Sequence, residues 1–180
     1  EEVFFERGLT ETTMEEVAER SQCHRRTLYR YFPRKEDMVY ETVITSIEKM
    51  NIFQQETYNQ LYGNGHQNFT AFLKALAGYM DNRRPMVRFM GEFDFFFNED
   101  TVYQPPEETA GRFAGVIHLT EELLSRILGQ GSSDGSITLP CSKEVFIPTV
   151  TSVLWGLAQR IALRDELIQS EFGIPGMDMA

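Results

Sequence analysis

Residues suited to covalent or metal-centred chemistry are scarce in this sequence. Its 180 residues include two cysteines, Cys23 and Cys141, and three histidines, His24, His66 and His118. The cysteines lie far apart with no CxxC spacing, which argues against a disulfide framework and for a reducing cytoplasm. The histidines share no ligand spacing, and nucleophile-elbow, P-loop and HExxH patterns are all missing. "GQGSSDG" resembles a phosphate loop only in its glycines, because no strand precedes it. Enzymatic readings therefore have nothing to stand on, and no cofactor or metal is expected. No apolar run approaches the roughly 18 residues that span a bilayer, and no secretory signal is visible, so no membrane partner is expected. Asn68-Phe69-Thr70 matches a glycosylation pattern without meaning in a cytoplasmic protein. Val, Ile and Thr never alternate long enough with polar residues to build strands. The fold class that remains is all-α.

Acidic residues are missing from one place only. The chain carries a formal net charge of −10, yet between Arg20 and Lys35 it holds Arg20, Arg25, Arg26, Arg30, Arg34 and Lys35 and not one Asp or Glu. Residues 1–35 hold seven acids and seven bases, so the remaining 20 acids against ten bases account for the whole net charge. An acidic body cannot bind polyanions in general, whereas a local basic face on a small head can.

Helical signals divide the chain. "EEVFFERG" reads as the back half of a helix ending near Arg7 with Gly8 as its stop, which implies residues before Glu1. Thr12 or Thr13 caps a second helix, Thr13 and Glu16 having capping-box spacing. Its inward stripe is Met14, Val17, Ala18 and Ser21. After "SQCH" a short third helix runs from about Arg25 to Phe32 and stops at Pro33. A long helix is predicted from about Lys35 to Tyr62, followed by helices over 67–81, 84–97, 107–129 and 142–171. "NEDTVYQPPE" and "GQGSSDGSITLP" read as the loops between them, and "GIPGMDMA" as a helix stop and frayed end.

Two short helices, a tight turn and a basic second helix suggest a helix-turn-helix unit. On the third helix Leu28 and Phe32 point to a core, while Arg25, Arg26, Tyr29 and Arg30 share the opposite side. Guanidinium groups can bridge guanine O6 and N7 or grip phosphates, and tyrosines offer a hydroxyl and a flat ring. The segments "VFFERG", "TTMEEVAERS" and "TLYRYFPRKEDM" resemble the DNA-binding domain of the tetracycline-repressor (TetR) family of bacterial regulators. The most specific part is Leu28, Tyr29, Tyr31, Phe32, Lys35 and Glu36.

That resemblance implies an N-terminal helix-turn-helix DNA-binding domain over 1–40 and a helical effector-binding and dimerisation domain over 41–180. It gives Thr13 a phosphate at the start of the second helix, Tyr29 and Tyr31 the sugar-phosphate backbone, Lys35 a phosphate, and Arg25, Arg26 and Thr27 the bases. His24, at the start of the recognition helix, completes the set. Three departures stand out. Gln22 replaces the usual turn glycine, which suggests a looser turn or a strained left-handed residue. His24 replaces a serine cap, and Arg26 a small residue, so base specificity is idiosyncratic.

The body carries two further patterns. Five of the chain's 14 phenylalanines fall within 89–97. At helical spacing Met86, Phe89, Met90, Phe93 and Phe97 form one stripe, an ordinary core pattern. Because members of the family enclose an effector cavity, the resemblance makes these residues and Tyr103 candidate lining for a small apolar or amphipathic ligand. Glu92 and Asp94 beside the rings are either solvated or a lure for a cation. Further on, Ile147, Val150, Leu154, Leu157 and Ile161 repeat as a helix-helix seam, and Val116, Leu119, Leu123 and Ile127 form a similar stripe. Either stripe serves an internal hairpin or a partner subunit. The resemblance favours a homodimer through Leu119, Leu123, Ile127, Val150, Leu154, Leu157 and Ile161. The function implied is a ligand-released repressor binding a double-stranded DNA operator. A protein-interaction adaptor on the same fold, localised by its DNA binding, is the alternative.

Overall fold

The structure, a computed structural model, describes residues 1–98 and 101–172, with side chains through residue 164. Among these residues there are nine helices and no strands: α1 Glu2–Glu11, α2 Met14–Arg20, α3 Arg25–Tyr31, α4 Lys35–Asn59, α5 Gly65–Asp81, α6 Arg84–Phe96, α7 Glu107–Val116, α8 Leu119–Asp134 and α9 Lys143–Phe172. "GIPGMDMA" lies outside the described residues.

In the head, local chemistry sets the boundaries. Gly8 breaks α1 with φ 78°, ψ 177°, after which one more turn follows. Thr12 is buried and its hydroxyl donates to the Gly8 carbonyl at 2.6 Å, while Thr13 accepts from the Glu16 amide at 3.2 Å and starts α2. Glu16 does not return the bond to complete a capping box; its carboxylate pairs with Arg7 at 2.7 Å. Gln22 is left-handed, φ 53°, the second of the two outcomes expected of it.

Head and body share one core. Phe4, Met14, Ala18, Leu28 and Met38 are continuous with Val39, Val43, Phe89 and Phe93. α4 runs through both halves, so the expected division at residue 40 falls within a helix. A second cluster, under α5, α8 and α9, contains Phe72, Leu123, Leu124, Ile127, Leu128 and Ile147.

Four boundaries differ from the sequence expectation. The long α4 ends at Asn59, and an Asn64–Gln67 capping box starts α5 at Gly65, two residues early. The helix predicted over 107–129 is two helices, because the Val116 carbonyl at the end of α7 accepts a hydrogen bond from Asn51 Nδ2 of α4 at 2.8 Å. The "GQGSSDG" stretch is mostly helix: α8 continues to Asp134 and stops at left-handed Gly135. Tertiary contacts hold that extra turn, since Asp134 accepts from the Gly65 and Ser136 amides at 2.8 and 2.9 Å.

The helix 143–164 is long and apolar enough, by length and composition, to cross a membrane, although no such stretch is expected from the sequence. It is apolar on two sides. Ile147, Ala158 and Ile161 are buried against the body, and Val145, Val153 and Leu157 are exposed on the other side.

Candidate functional site

The DNA-facing candidates lie together on one side of the head. Leu28 is buried and Phe32 half-buried, which anchors α3. His24, Arg25, Arg26, Tyr29 and Tyr31 are thereby turned outward, with Thr27 half-buried between them. Thr13 is exposed at the start of α2. His24 occupies the N-cap position of α3 without a side-chain cap bond, so the serine it replaces has no substitute there.

The two candidate base-reading arginines differ. Arg25 is ion-paired to Glu15 of α2, and the Tyr29 hydroxyl donates to the same carboxylate at 3.2 Å. The backbone amide at the start of α2, then Arg25 and Tyr29, hold the Glu15 carboxyl below its usual range. Arg26 has no hydrogen-bond or ion-pair partner among the described residues. Lys35 bonds the Thr10 carbonyl at the end of α1 at 3.3 Å. Partial burial lowers its pKa, against the pull of Glu36, Glu11 and Glu92.

A cavity of about 270 Å³, open to solvent on one side, lies between α4, α5, α6, α7, α8 and α9. Of the predicted lining residues, Met90 and Phe93 reach it. Met86 and Phe89 do not; they are buried between α6 and α1, where the Phe89 ring meets Phe4 and Phe5 at 5.4 and 5.6 Å. A single stripe on a helix can face two neighbours in succession along its length, and spacing cannot separate them. Phe97 and Tyr103 lie elsewhere again, packed with Tyr40 at 5.4 and 5.7 Å near the start of α4. Residues the stripe could not supply, Phe113, Trp155, Asn51 and Thr151 among them, come to the cavity from other helices. Of the dimer candidates, Leu154 also lines the cavity. Leu123, Ile127 and Ile161 are fully buried within the protomer, so they cannot meet a partner. Leu119 and Val150 are half-buried, and Leu157 is exposed.

Two sets of contacts tie cavity to head. On α6, Arg88 donates to the Phe5 carbonyl at 2.9 Å, and Glu92 accepts from the Leu9 amide just after the break at Gly8. Glu92 is therefore engaged with α1, and only Asp94 of that acidic pair lies at the cavity. The second set begins with the cavity ring Phe93, stacked on Phe97 at 5.0 Å; Phe97 meets Tyr103 at 6.1 Å. The Tyr103 hydroxyl donates to Asp37 in the first turn of α4 at 2.5 Å. Burial, then the bond to Asp37, push the Tyr103 phenol well above its usual pKa, so it stays a donor.

An exposed basic recognition helix on an all-helical body defines a helix-turn-helix DNA-binding regulator. The comparisons name the family: residues 1–42 match the family model for bacterial regulatory proteins, tetR family. Residues 1–42 therefore carry the helix-turn-helix domain of tetR-family regulators. Its fold is similar over most of its length to PfmR, a TetR-family regulator from Thermus thermophilus (TM-score 0.67, 18% identity, 88% of this chain and 81% of that one). It is also similar to FadR from Bacillus subtilis in complex with stearoyl-CoA (0.67, 13%, 92% and 84%). A third is Thermus thermophilus FadR, a repressor in complex with lauroyl-CoA (0.58, 20%, 99% and 82%). At these identities the likeness establishes the fold. Against curated proteins the sequence finds no match.

Proposed function

We propose that this protein is a homodimeric repressor that leaves its DNA operator when a small apolar or amphipathic ligand fills the body cavity. One observation carries the reading: α6 lines the cavity through Met90, Phe93 and Asp94 and clasps α1 of the head through Arg88 and Glu92. A ligand that shifts α6 therefore acts on the head directly, and the Phe97–Tyr103–Asp37 contacts carry the same shift to α4. The acyl-CoA complexes of proteins with this fold support an effector with a long apolar part. A volume of about 270 Å³ lies at the small end of ligand pockets, near the usual lower bound of about 300 Å³.

In this reading residues 1–40 form the DNA-binding head and 41–180 the effector and dimerisation body. Arg25, Arg26 and Thr27 read bases, with His24 beside them. Thr13, Tyr29, Tyr31 and Lys35 hold the backbone. Two copies are needed because one short helix contacts too little DNA, whereas half-sites about 34 Å apart multiply the contacts. The ligand must favour the state with wrongly spaced heads by about 1–3 kcal/mol, the usual scale of allosteric coupling.

The test is selection of bound fragments from random DNA, then titration of the selected complex with amphiphiles. Recovery of a two-fold-symmetric site released by at least one of them is expected. Binding without sequence preference would refute the reading.

A further inference from the structure

The electrostatics of the cavity point to the head group of its ligand, and this inference rests on the effector role proposed above. The walls are apolar and aromatic, with Phe93, Phe113 and Trp155 among them. Among the described residues, the only ionisable side chains in the lining are two carboxylates, Asp94 and Glu121; no Lys, Arg or His takes part. Asp94 spends Oδ2 on Trp155 Nε1 at 3.2 Å and Gln159 Nε2 at 2.7 Å, and its Oδ1 has no partner among the described residues. Glu121 is half exposed and has no hydrogen-bond partner among the described residues; His118 Nδ1 stands at 3.9 Å, and Lys143 shares an adjoining surface pocket with it. Beside the cavity the amide donors are engaged by protein acceptors. Asn51, a lining residue, donates to Val116, and its Oδ1 accepts from Gln54; the fully buried Gln54 Oε1 has no partner among the described residues.

An anionic head would meet two negative charges and no compensating cation. It would do so on a body that carries the whole net charge of −10. A cation meets two solvent-exposed carboxylates at the mouth of an aromatic pocket that includes Trp155, and aromatic rings attract cations. We propose that the effector is a cationic amphiphile, an ammonium or amidinium group on an apolar body, and not a fatty acid or an acyl thioester. Its apolar part lies among Phe93, Phe113 and Met90, with the cation at Asp94 and Glu121.

The test compares three probes of one chain length, below their micelle concentrations, for binding to the full-length protein and for release of its selected DNA. These are dodecyltrimethylammonium, dodecanoate and lauroyl-CoA. The cation is expected to bind roughly two- to five-fold more tightly than dodecanoate, the scale of a cation–aromatic contact at an exposed site. Asp94→Asn with Glu121→Gln is expected to abolish that preference without weakening dodecanoate, since the asparagine keeps an acceptor for Trp155. Glu107→Gln with Glu108→Gln removes equal charge outside the cavity and is expected to leave the preference intact. Tighter binding of either anion overturns the proposal while leaving the effector cavity standing. So does a preference that survives the cavity pair, or one lost equally in the control pair. If none of the three binds, the effector role fails as well.

Discussion

Arg25 and Arg26 are neighbours in sequence and unlike in the folded head. Arg25 is held by Glu15, so a DNA phosphate or base must compete with a carboxylate for it. Arg26 projects without a partner among the described residues. Arg26→Ala is expected to weaken the selected site by about 1–3 kcal/mol and to leave nonspecific DNA nearly unchanged. Fluorescence anisotropy on both DNAs decides it, and equal losses would remove Arg26 from base reading. Lys35, whose ammonium donates to the Thr10 carbonyl at the end of α1, is the proposed phosphate contact. Lys35→Ala is expected to weaken all sequences alike and to reduce the slope of log K against log salt by about one. Asn68 is explained by burial and not by a motif. The glycosylation pattern around it carries no meaning, and Asn68 is buried, donating to the Gly63 carbonyl and Gln130 Oε1, both at 2.9 Å.

Among the helices, α5 and α8 meet at a pair of glycines. A Cβ on Gly65 would overlap the Gly131 Cα, a backbone atom that cannot move aside. Gly65→Ala is therefore expected to destabilise the fold by about 1–3 kcal/mol, read as a lowered denaturation midpoint. The glycines of "GQGSSDG" read as a loop in the sequence because a glycine serving close approach looks the same there as one serving a turn. Tyr103 tests the other helix-scale device. Tyr103→Phe keeps the ring packing against Tyr40 and Phe97 and removes the bond to Asp37. DNA affinity is expected to hold within about two-fold, while the ligand concentration for half-release rises several-fold, a share of the coupling free energy. Unchanged release would mean that α6 carries the coupling alone. Tyr103 was identifiable as a candidate, but its site was not, because the loop that places it has no periodic signal.

For the whole molecule, the proposed dimer surface is where sequence pattern and structure part. The 147–150–154–157–161 seam is real, but most of it faces the protomer's own helices: Ile147 and Ile161 are buried and Leu154 lines the cavity. The outward face of α9 instead presents Val145, Val153 and Leu157, exposed at 57%, 65% and 48%. Gly156, between them, has open space where a side chain would stand. Val153→Glu is accordingly expected to yield monomers in sedimentation with the fold intact. A dimer that survives it would place the interface elsewhere. Leu154→Glu would not separate the possibilities, because its carboxylate would enter the cavity.

The sequence by itself determined the all-helical class, the recognition helix and its outward residues, and the confinement of positive charge to the head. These depend on neighbours within a few residues: a capping threonine, a stop proline, a stripe four residues apart, a stretch without acids. Only the tertiary structure decided which helix face meets which partner. It buried Phe89 against the head, opened Phe93 to the cavity, engaged Glu92 with α1 and left Asp94 at the cavity. Periodicity fixes that a face is apolar, whereas the packing of distant helices fixes whether that face meets core, cavity or another molecule.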